Sequence, residues 1–428
     1  MLFVSEISRP SIAIIGSGVS GLTAAYVLRE THDVTLFEAD NRPGGHAHTH
    51  DIPAKVGELK IDSGFIVHND RTYPNLLRIF KELNIQTQIT EMSMSISCEE
   101  CGLHYAGGRG AKGILAQKHQ IFNPRFIRML LEVKRFHKSA RALLDGQGDT
   151  NQTWGEFLDN GRYSNFFVQH FAIPLVSCVW SSGDTDSRSY PAKHLFEFLS
   201  HHGMLTIKNS PTWRTVVGGS RTYVREIVKL IHDVRTDAAV TKVVRSESGV
   251  SITSKTSTGE KTETFDYAII ATHANAAAEI LQDASAEERN ALTAVPYSQN
   301  HTWLHTDDAV MPSTLEARAS WNYRMRECNS RSEQVLVSYW MNRLMNLPGD
   351  ENFMVTLNPT GWVDKSKVLR QMNYEHPVFT HEALAAAAIL RNAGGDRLAF
   401  AGAHLGWGFH EDGARSGVEA ARKFGGTW

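Results

Sequence analysis

The 428-residue chain is short of cysteine, of surplus charge and of long apolar runs. Its four cysteines, Cys98, Cys101, Cys178 and Cys328, are too few and too scattered for a disulfide scaffold, and they fit a reducing, cytoplasmic setting. Lys and Arg total 44 against 46 Asp and Glu, a net charge of −2. No basic surplus exists to neutralise nucleic-acid phosphates, so no nucleic-acid partner is expected. The longest apolar run, Ala383–Leu390, falls far below the ~18 residues that cross a bilayer and reads as a packed helix. Met1 to Pro10 reads as a short polar lead-in rather than a signal peptide. Internal repeats, low-complexity tracts and long linkers are also missing. What remains is a chain long enough for one large or two interleaved domains with substantial cores.

The strongest positive signal is Ile12-Ala-Ile-Ile-Gly16-Ser-Gly18-Val-Ser20-Gly21. An apolar strand runs into a G-x-G-x-x-G turn, a helical pattern follows from Leu22 to Arg29, and a second strand, Val34–Phe37, ends on Glu38. Gly16 permits the tight turn, Gly18 lets the backbone approach a pyrophosphate, and Gly21 lets helix and strand pack closely. Glu38 can accept from a ribose 2′-OH, while the helix N-terminus receives the phosphates. Gly108-Arg-Gly110-Ala-Lys-Gly113 matches the same pattern, but without a short apolar strand leading into it or an acid at a following strand end. It reads as a glycine-rich surface loop. With one dinucleotide unit, a separate NADPH site is not expected.

Glu38-x-x-x-Arg42-x-Gly44-Gly45 resembles the extended fingerprint of FAD-dependent amine oxidases, phytoene desaturases and protoporphyrinogen oxidases. Val217-Gly-Gly219-Ser resembles that superfamily's central glycine turn, and Asp266–Thr272 its late strand near the cofactor. Phe400-Ala-Gly402-Ala together with Gly406–Gly417 resembles the C-terminal segment that closes over the flavin. Asp62–Val67, Arg71–Asn75, Val217–Tyr223, Tyr339–Asn342 and Gly408–Gly413 look like a subgroup of predicted NAD/FAD-binding, amine-oxidase-like proteins. Related domains accompany, or are fused to, enzymes that modify phospholipid acyl chains, including cyclopropane fatty acid synthases. The resemblance therefore implies FAD as cofactor, a lipid or other small-molecule substrate, and an acyl-chain-modifying enzyme as a partner. The cofactor-site residues it implies are Gly16, Gly18, Ser20, Gly21, Glu38, Ala39, Arg42, Gly44, Gly45, His46, Gly219, Val243, Gly402, Gly413 and Ala414.

These motifs lie far apart, so the expected fold is α/β with a discontinuous Rossmann-type FAD-binding domain, residues 1–75, 212–296 and 393–428. An α+β substrate domain would take residues 76–211 and 297–392. Val240–Val244, Val250–Lys255 and Glu263–Tyr267 alternate as strands around a turn at Thr256–Glu260, which predicts a β-meander inserted in the Rossmann unit. Helical patterns dominate about 114–145 and 154–206.

A flavin supplies the redox centre while the protein positions substrate and tunes the ring. Hydride removal to flavin N5 is the expected chemistry, with oxygen or another acceptor reoxidising it. A helix starting near Gly413 would aim its positive end at the flavin N1/C2 carbonyl. Trp321, Tyr323, Tyr339, Trp340 and Asn342 are candidates for an apolar substrate cavity, with core packing as the alternative. Related amine oxidases often keep a lysine near N5; the strand Asn300–His305 is the candidate equivalent and carries none. No catalytic base is assigned.

Other clusters carry less. His46, His48 and His50 would share one side of an extended segment, yet they adjoin the cofactor turn and lack an acidic or thiol partner, so no metal is expected there. Cys98-Glu-Glu-Cys101 with His104 lacks a fourth ligand, Cys178 and Cys328 being isolated in sequence, and reads as ordinary thiols on a hairpin. His410-Glu411-Asp412 suits cofactor contact or helix capping, with Asp412 as the N-cap. Phe126, Ile127, Leu130 and Leu131, flanked by Arg125, Lys134, Arg135 and Lys138, fit either a half-buried helix or a basic amphipathic helix that touches the inner face of a membrane. Three functions stay open: an FAD-dependent dehydrogenase, desaturase or oxidase of an acyl-lipid-like substrate; an amine oxidase; and a non-oxidative isomerase or partner-supporting flavoprotein.

Overall fold

The computed structural model describes residues 9–181, 183, 187–206, 210–329 and 336–428. The apolar strand Ser11–Ile15 lies at the centre of a five-stranded parallel sheet, with Asp33–Phe37 and Asp233–Arg235 on one side and Tyr267–Ile270 and Leu398–Phe400 on the other. Parallel strands buried on both faces are continuous in apolar residues. Here Ile12 and Ile14 point into one core with Leu22, Leu36 and Val224, while Ala13 and Ile15 point into another with Phe37, Val250 and Phe265.

The first face is covered by the helices Val19–Leu28, Pro74–Glu82 and His410–Lys423. The second is covered by an antiparallel meander, Ala239–Ser246, Gly249–Thr256 and Gly259–Phe265, as the alternating pattern predicts. The five parallel strands thus come from three stretches of chain that lie far apart in sequence.

A second, seven-stranded sheet runs in the order 368–377, 297–305, 354–357, 337–340, 321–325, 94–98, 104–107. It is antiparallel except where Trp321–Met325 pairs in parallel with Met94–Cys98. Helices Pro124–Leu144, Trp154–Asn160, Ile173–Trp180 and Ala192–His201 pack an aromatic core of Phe126, Phe136, Trp154, Phe157, Phe167 and Phe196. Pro124 opens its helix at the first turn, and Asn123 caps it by accepting from the backbone N–H groups of Arg125 and Phe126.

Three local expectations are corrected. Gly108–Gly113 is not wholly a loop: Gly110–Ile114 is a short helix, and the strand His104–Gly107 leads into it. That strand is antiparallel to Met94–Cys98 at the edge of the second sheet, so it offers no βαβ phosphate turn. The last helix begins at His410, one turn earlier than Gly413, and Asp412 sits inside it rather than at its N-cap. In the helix Pro124–Leu144, Phe126 and Met129 face the core while Ile127 and Leu131 stay exposed, so the four apolar positions do not share one face.

A tight helix contact joins the two ends of the sequence. A side chain at Gly417 would run into the Ser20 carbonyl oxygen and lie 3.0 Å from Thr23 Cβ. Gly417→Val should therefore cost about 1–3 kcal/mol by overpacking and reduce bound flavin. Thermal denaturation and flavin content, compared with Glu419→Ala on the exposed side of the same helix, measure this; an unchanged melting temperature would show that the two helices part freely.

Candidate active site

Gly16, at φ +98°, turns the chain from the first strand into the helix Val19–Leu28 and donates its N–H to Phe37 O at 2.8 Å. Gly18 is the N-cap and has no side-chain cap, so the free N–H groups of the first turn are left for an anion. This turn opens on a cavity of about 680 Å³. Glu38 lines it too, accepting from Ser17 N at 3.0 Å, from Ser17 Oγ, and from Asp40 N at 2.9 Å. A carboxylate accepts about four hydrogen bonds, so Glu38 retains capacity for a sugar hydroxyl. Gly44 N donates to Ser17 O at 3.0 Å, which folds the Gly44-Gly45 turn against the glycine loop. Arg42 donates from Nη2 to Gly45 O at 2.9 Å, while its buried Nη1 has no partner.

The middle of the cavity is crowded with imidazoles. The His46 ring lies 4.9 Å from that of Tyr374, 5.5 Å from His376 and 5.9 Å from His273. Its Nε2 is buried without a partner. Burial and the neighbouring imidazoles hold His46 well below its ordinary range, and burial likewise lowers His376 to about 4 and His404 and His410 to about 3. Tyr374 Oη is 2.7 Å from Ser63 Oγ and 3.1 Å from His48 Nδ1, and Ser63 Oγ is 2.8 Å from His50 Nε2. His48 and His50 are thereby engaged in a hydrogen-bond chain. His410 stacks on Phe65 at 3.7 Å and meets Tyr223 Oη at 2.9 Å.

The far end is apolar. Trp321 and Tyr339 are register partners on adjacent strands and meet edge to face at 5.6 Å. Trp180, Phe198, Met204 and Leu357 continue the wall. Among the described residues no lysine or arginine lines the cavity.

Of the residues expected at the cofactor, Gly16, Gly18, Ser20, Glu38, Gly45, His46 and Gly402 line the cavity. Gly21, Arg42 and Gly44 lie behind that lining and shape its loops, while Ala39 is exposed outside it. Gly219 packs on Thr49 and Asp62, and Gly413 on Val19 and Ser20. Ala414 is fully buried in the helix core. Val243 is also fully buried, with its carbonyl accepting from Gln282 N at 3.1 Å. These four support the site from behind, because their elements pack sheet and helices together. Trp321 and Tyr339 reach the cavity, but Tyr323, Trp340 and Asn342 do not. Trp340 Nε1 donates to Asn352 Oδ1 at 3.1 Å, and Asn342 bridges Glu351 O and Phe353 N at 2.7 Å each. Strand alternation sends Trp340 away from the face that carries Tyr339.

His410, Glu411 and Asp412 act separately. His410 reaches the cavity; Glu411 accepts from Asn75 N and Leu76 N and caps the helix Pro74–Glu82; Asp412 accepts from Phe409 N at 3.1 Å. Sequence reasoning missed Tyr374 and His376. The only available signal was their two-residue spacing at the end of the strand Val368–Pro377. It also missed that Cys98, Cys101, His170 and Cys328 converge, all four ligand atoms lying within 4.8 Å of one another. Cys328 is isolated in sequence but not in space, and His170 rather than His104 is the histidine at the thiols.

The family model for flavin-containing amine oxidoreductases matches residues 19–304. The chain belongs to that family. A tryptophan 2-monooxygenase of Allorhizobium ampelinum is 50% identical over 50 residues, 11% of this chain and 7% of that protein. The chain thus matches only a small part of that relative's length. Cyclohexylamine oxidase from Brevibacterium oxydans superposes with a TM-score of 0.68 at 14% identity, covering 97% of this chain and 98% of the oxidase. A fatty acid isomerase from P. acnes superposes with a TM-score of 0.67 at 15% identity, covering 98% and 99%. At such identities the likeness concerns the fold.

FAD is the family's cofactor, and the site fits it. The uncapped helix N-terminus at Gly18 suits the pyrophosphate, Glu38 suits the ribose, and the orphaned His46 Nε2 offers a polar contact farther along. The N-terminal end of His410–Lys423 also borders the cavity through Gly408–His410, placing a positive helix end there. No helix among the described residues is long and apolar enough to cross a membrane.

The buried imidazoles set a pH dependence. Each has an ordinary value of 6.5 and a folded value far lower, so the unfolded chain takes up the proton first. Their stability contribution is complete above pH 6.5 and is lost as pH drops toward 4. Asp62 and Asp412, raised to about 6 by burial, act in the opposite sense between pH 6 and 4 but are outnumbered. The melting temperature should fall steadily from pH 6.5 to 4.5. A flat profile there would mean that these rings are already charged in the fold.

Proposed function

We propose that this FAD-dependent oxidoreductase removes a hydride from an apolar, acyl-lipid-like substrate, with flavin N5 as the acceptor. The observation that supports it is the far wall of the cavity, built from Trp180, Phe198, Met204, Trp321, Tyr339 and Leu357, none of which carries a charge. Such a wall desolvates and aligns an alkyl chain, whereas a substrate ammonium there would lose hydration without an opposite charge. His46, His376, His404 and His410, held neutral by burial, add no charge at pH 7, and His46 Nε2 is left to hydrogen-bond. That one structural neighbour is a fatty acid isomerase is compatible with an acyl chain in this fold.

Anaerobic mixing with acyl-lipid extracts should bleach the flavin and yield a product two hydrogens lighter. Tyr339→Ala should raise the half-saturating lipid concentration at least about five-fold, the loss expected for a buried aromatic contact, with flavin content unchanged. Bleaching by amines with release of peroxide, and none by lipids, overturns the acyl reading in favour of amine oxidation. An isomerised lipid with no net bleaching selects the non-oxidative reading.

We further propose that the enzyme works at an anionic phospholipid surface in the reducing cytoplasm, beside an acyl-chain-modifying partner. Phe122, Ile127 and Leu131 are 84%, 39% and 61% exposed along one stretch, interleaved with Arg125, Arg128, Lys134 and Lys138. Exposed apolar side chains set among cations suit the headgroup boundary. Arg135 is a poor probe, being bonded to Gly161 O at 2.9 Å and set over the Tyr163 ring. Phe122→Ser with Leu131→Ser, and separately Lys134→Glu with Lys138→Glu, should each reduce cosedimentation with phosphatidylglycerol vesicles at unchanged melting temperature. Equal sedimentation of all forms removes the membrane contact.

A further inference from the structure

Four ligand-bearing side chains from three distant stretches meet at one end of the seven-stranded sheet, away from the flavin site. Cys98 ends the strand Met94–Cys98, and Cys101 follows in the turn before His104–Gly107. The neighbouring strand Trp321–Met325 is extended past its end by Glu99 N to Met325 O and Glu100 N to Arg326 O, both 3.0 Å. That extension carries Cys328 back beside Cys98, with the two sulfurs 3.6 Å apart. Cys328 N is held in turn by Glu100 Oε2 at 2.7 Å. The fourth group, His170, comes from a single π turn, Val168–Ala172, inserted between helical segments. Such turns are uncommon and concentrate at functional sites. His170 Nε2 lies 3.5 Å from Cys101 Sγ.

We propose that Cys98, Cys101, His170 and Cys328 bind one zinc ion in a closed, structural site. Tetrahedral zinc with Zn–S near 2.3 Å and Zn–N near 2.05 Å requires sulfur–sulfur edges of about 3.8 Å and sulfur–nitrogen edges of about 3.6 Å. The Cys98–Cys328 edge of 3.6 Å and the Cys101–His170 edge of 3.5 Å are close to those values, and all four ligand atoms lie within 4.8 Å of one another. The imidazole is oriented to ligate, since its Nδ1 lies 3.1 Å from Phe166 O. A carbonyl only accepts, so Nδ1 carries the hydrogen and the Nε2 lone pair faces the sulfurs, as the outer partner of a zinc-bound histidine requires. The His170 carbonyl is fixed by Tyr105 Oη at 2.6 Å. A Cys98–Cys328 disulfide would explain two of the four groups and leave the Cys101–His170 pair without a purpose.

Binding releases three thiol protons, and the three thiolates with one neutral imidazole fill all four positions. No position is left for water or substrate, so the ion staples rather than catalyses. It ties a hairpin, a neighbouring strand end and a helical segment. That segment continues as Ile173–Trp180, which supplies Cys178 to Trp180 to the cavity wall. The staple therefore braces the substrate side of the cavity and leaves the nucleotide side alone.

Elemental analysis of protein purified without an affinity metal should give about one zinc per chain. The chelator-treated, reduced protein titrated with cobalt should develop visible d–d bands and thiolate charge-transfer bands of a tetrahedral site. His170→Ala should lose the zinc, and His170→Cys, a ligand that keeps the tetrahedron, should retain it. Both should keep bound flavin. Should His170→Ala fail to fold, the wild-type metal content and cobalt spectrum still decide the matter. Negligible zinc together with a featureless cobalt titration overturns the proposal, as does an intact mass two hydrogens low that maps to a Cys98–Cys328 disulfide.

Discussion

The contact on which the site depends is the backbone-distance packing of the last helix, His410–Lys423, on the first, Val19–Leu28. Gly413 and Gly417 remove the side chains that would hold the two apart, and Val19, Ser20 and Thr23 fill the space. At this separation the Gly402–His410 segment is carried to the same cavity as the Gly16–Ser20 turn. Larger residues at the two glycines would keep both helices intact yet separate the two halves of the cofactor surface. The role of these glycines is therefore architectural, even though they sit in a motif that reads as cofactor contact.

Burial divides the cavity into regions of different chemistry. At the nucleotide end, backbone N–H groups and Glu38 supply polarity that costs little to present, because the helix termini and loops already expose it. In the middle, imidazoles line the space in neutral form, since burial and mutual proximity both oppose a second charge. The hydrogen-bond chain His48–Tyr374–Ser63–His50 is satisfied internally, whereas His46 Nε2 is buried without a partner. At the far end, strand alternation presents Trp321 and Tyr339 to the cavity and turns Trp340 outward.

Much of this was legible in the sequence for a physical reason: nucleotide binding relies on local geometry. A strand, a tight turn, a helix start and an acid lie within about 25 residues of one another, so Gly16, Gly18 and Glu38 could be placed without any tertiary information. The meander was legible because period-two alternation is also local. What was not legible was long-range. The side chains of Val243 and Ala414 are buried in cores, and facing depends on what packs opposite. Asp412 failed as an N-cap because Phe409 takes that place and Asp412 answers it from within the helix. The thiol cluster was illegible because His170 is 69 residues from Cys101, and Cys328 is 230 from Cys98. No ligand spacing rule reaches that far.

The two sheets also explain why family membership fixes the cofactor more firmly than the substrate. The residues suited to the nucleotide come from the parallel sheet and its loops, where a side chain at Gly16 would need a disfavoured φ and would approach the Ala271 carbonyl. Few sequences satisfy that geometry. The apolar wall comes from strand faces and helices of the second sheet, where volume-conserving exchanges cost little. A fold shared at about 14% identity can therefore carry different side chains on that wall. That wall offers aromatic and aliphatic surface, while carboxylates enter the cavity beside the histidines, at Glu279 and at Glu375, whose Oε2 lies 3.1 Å from His273 Nδ1. Apolar and acidic surface thus stand at different places in one cavity, and both come from outside the motif that names the family.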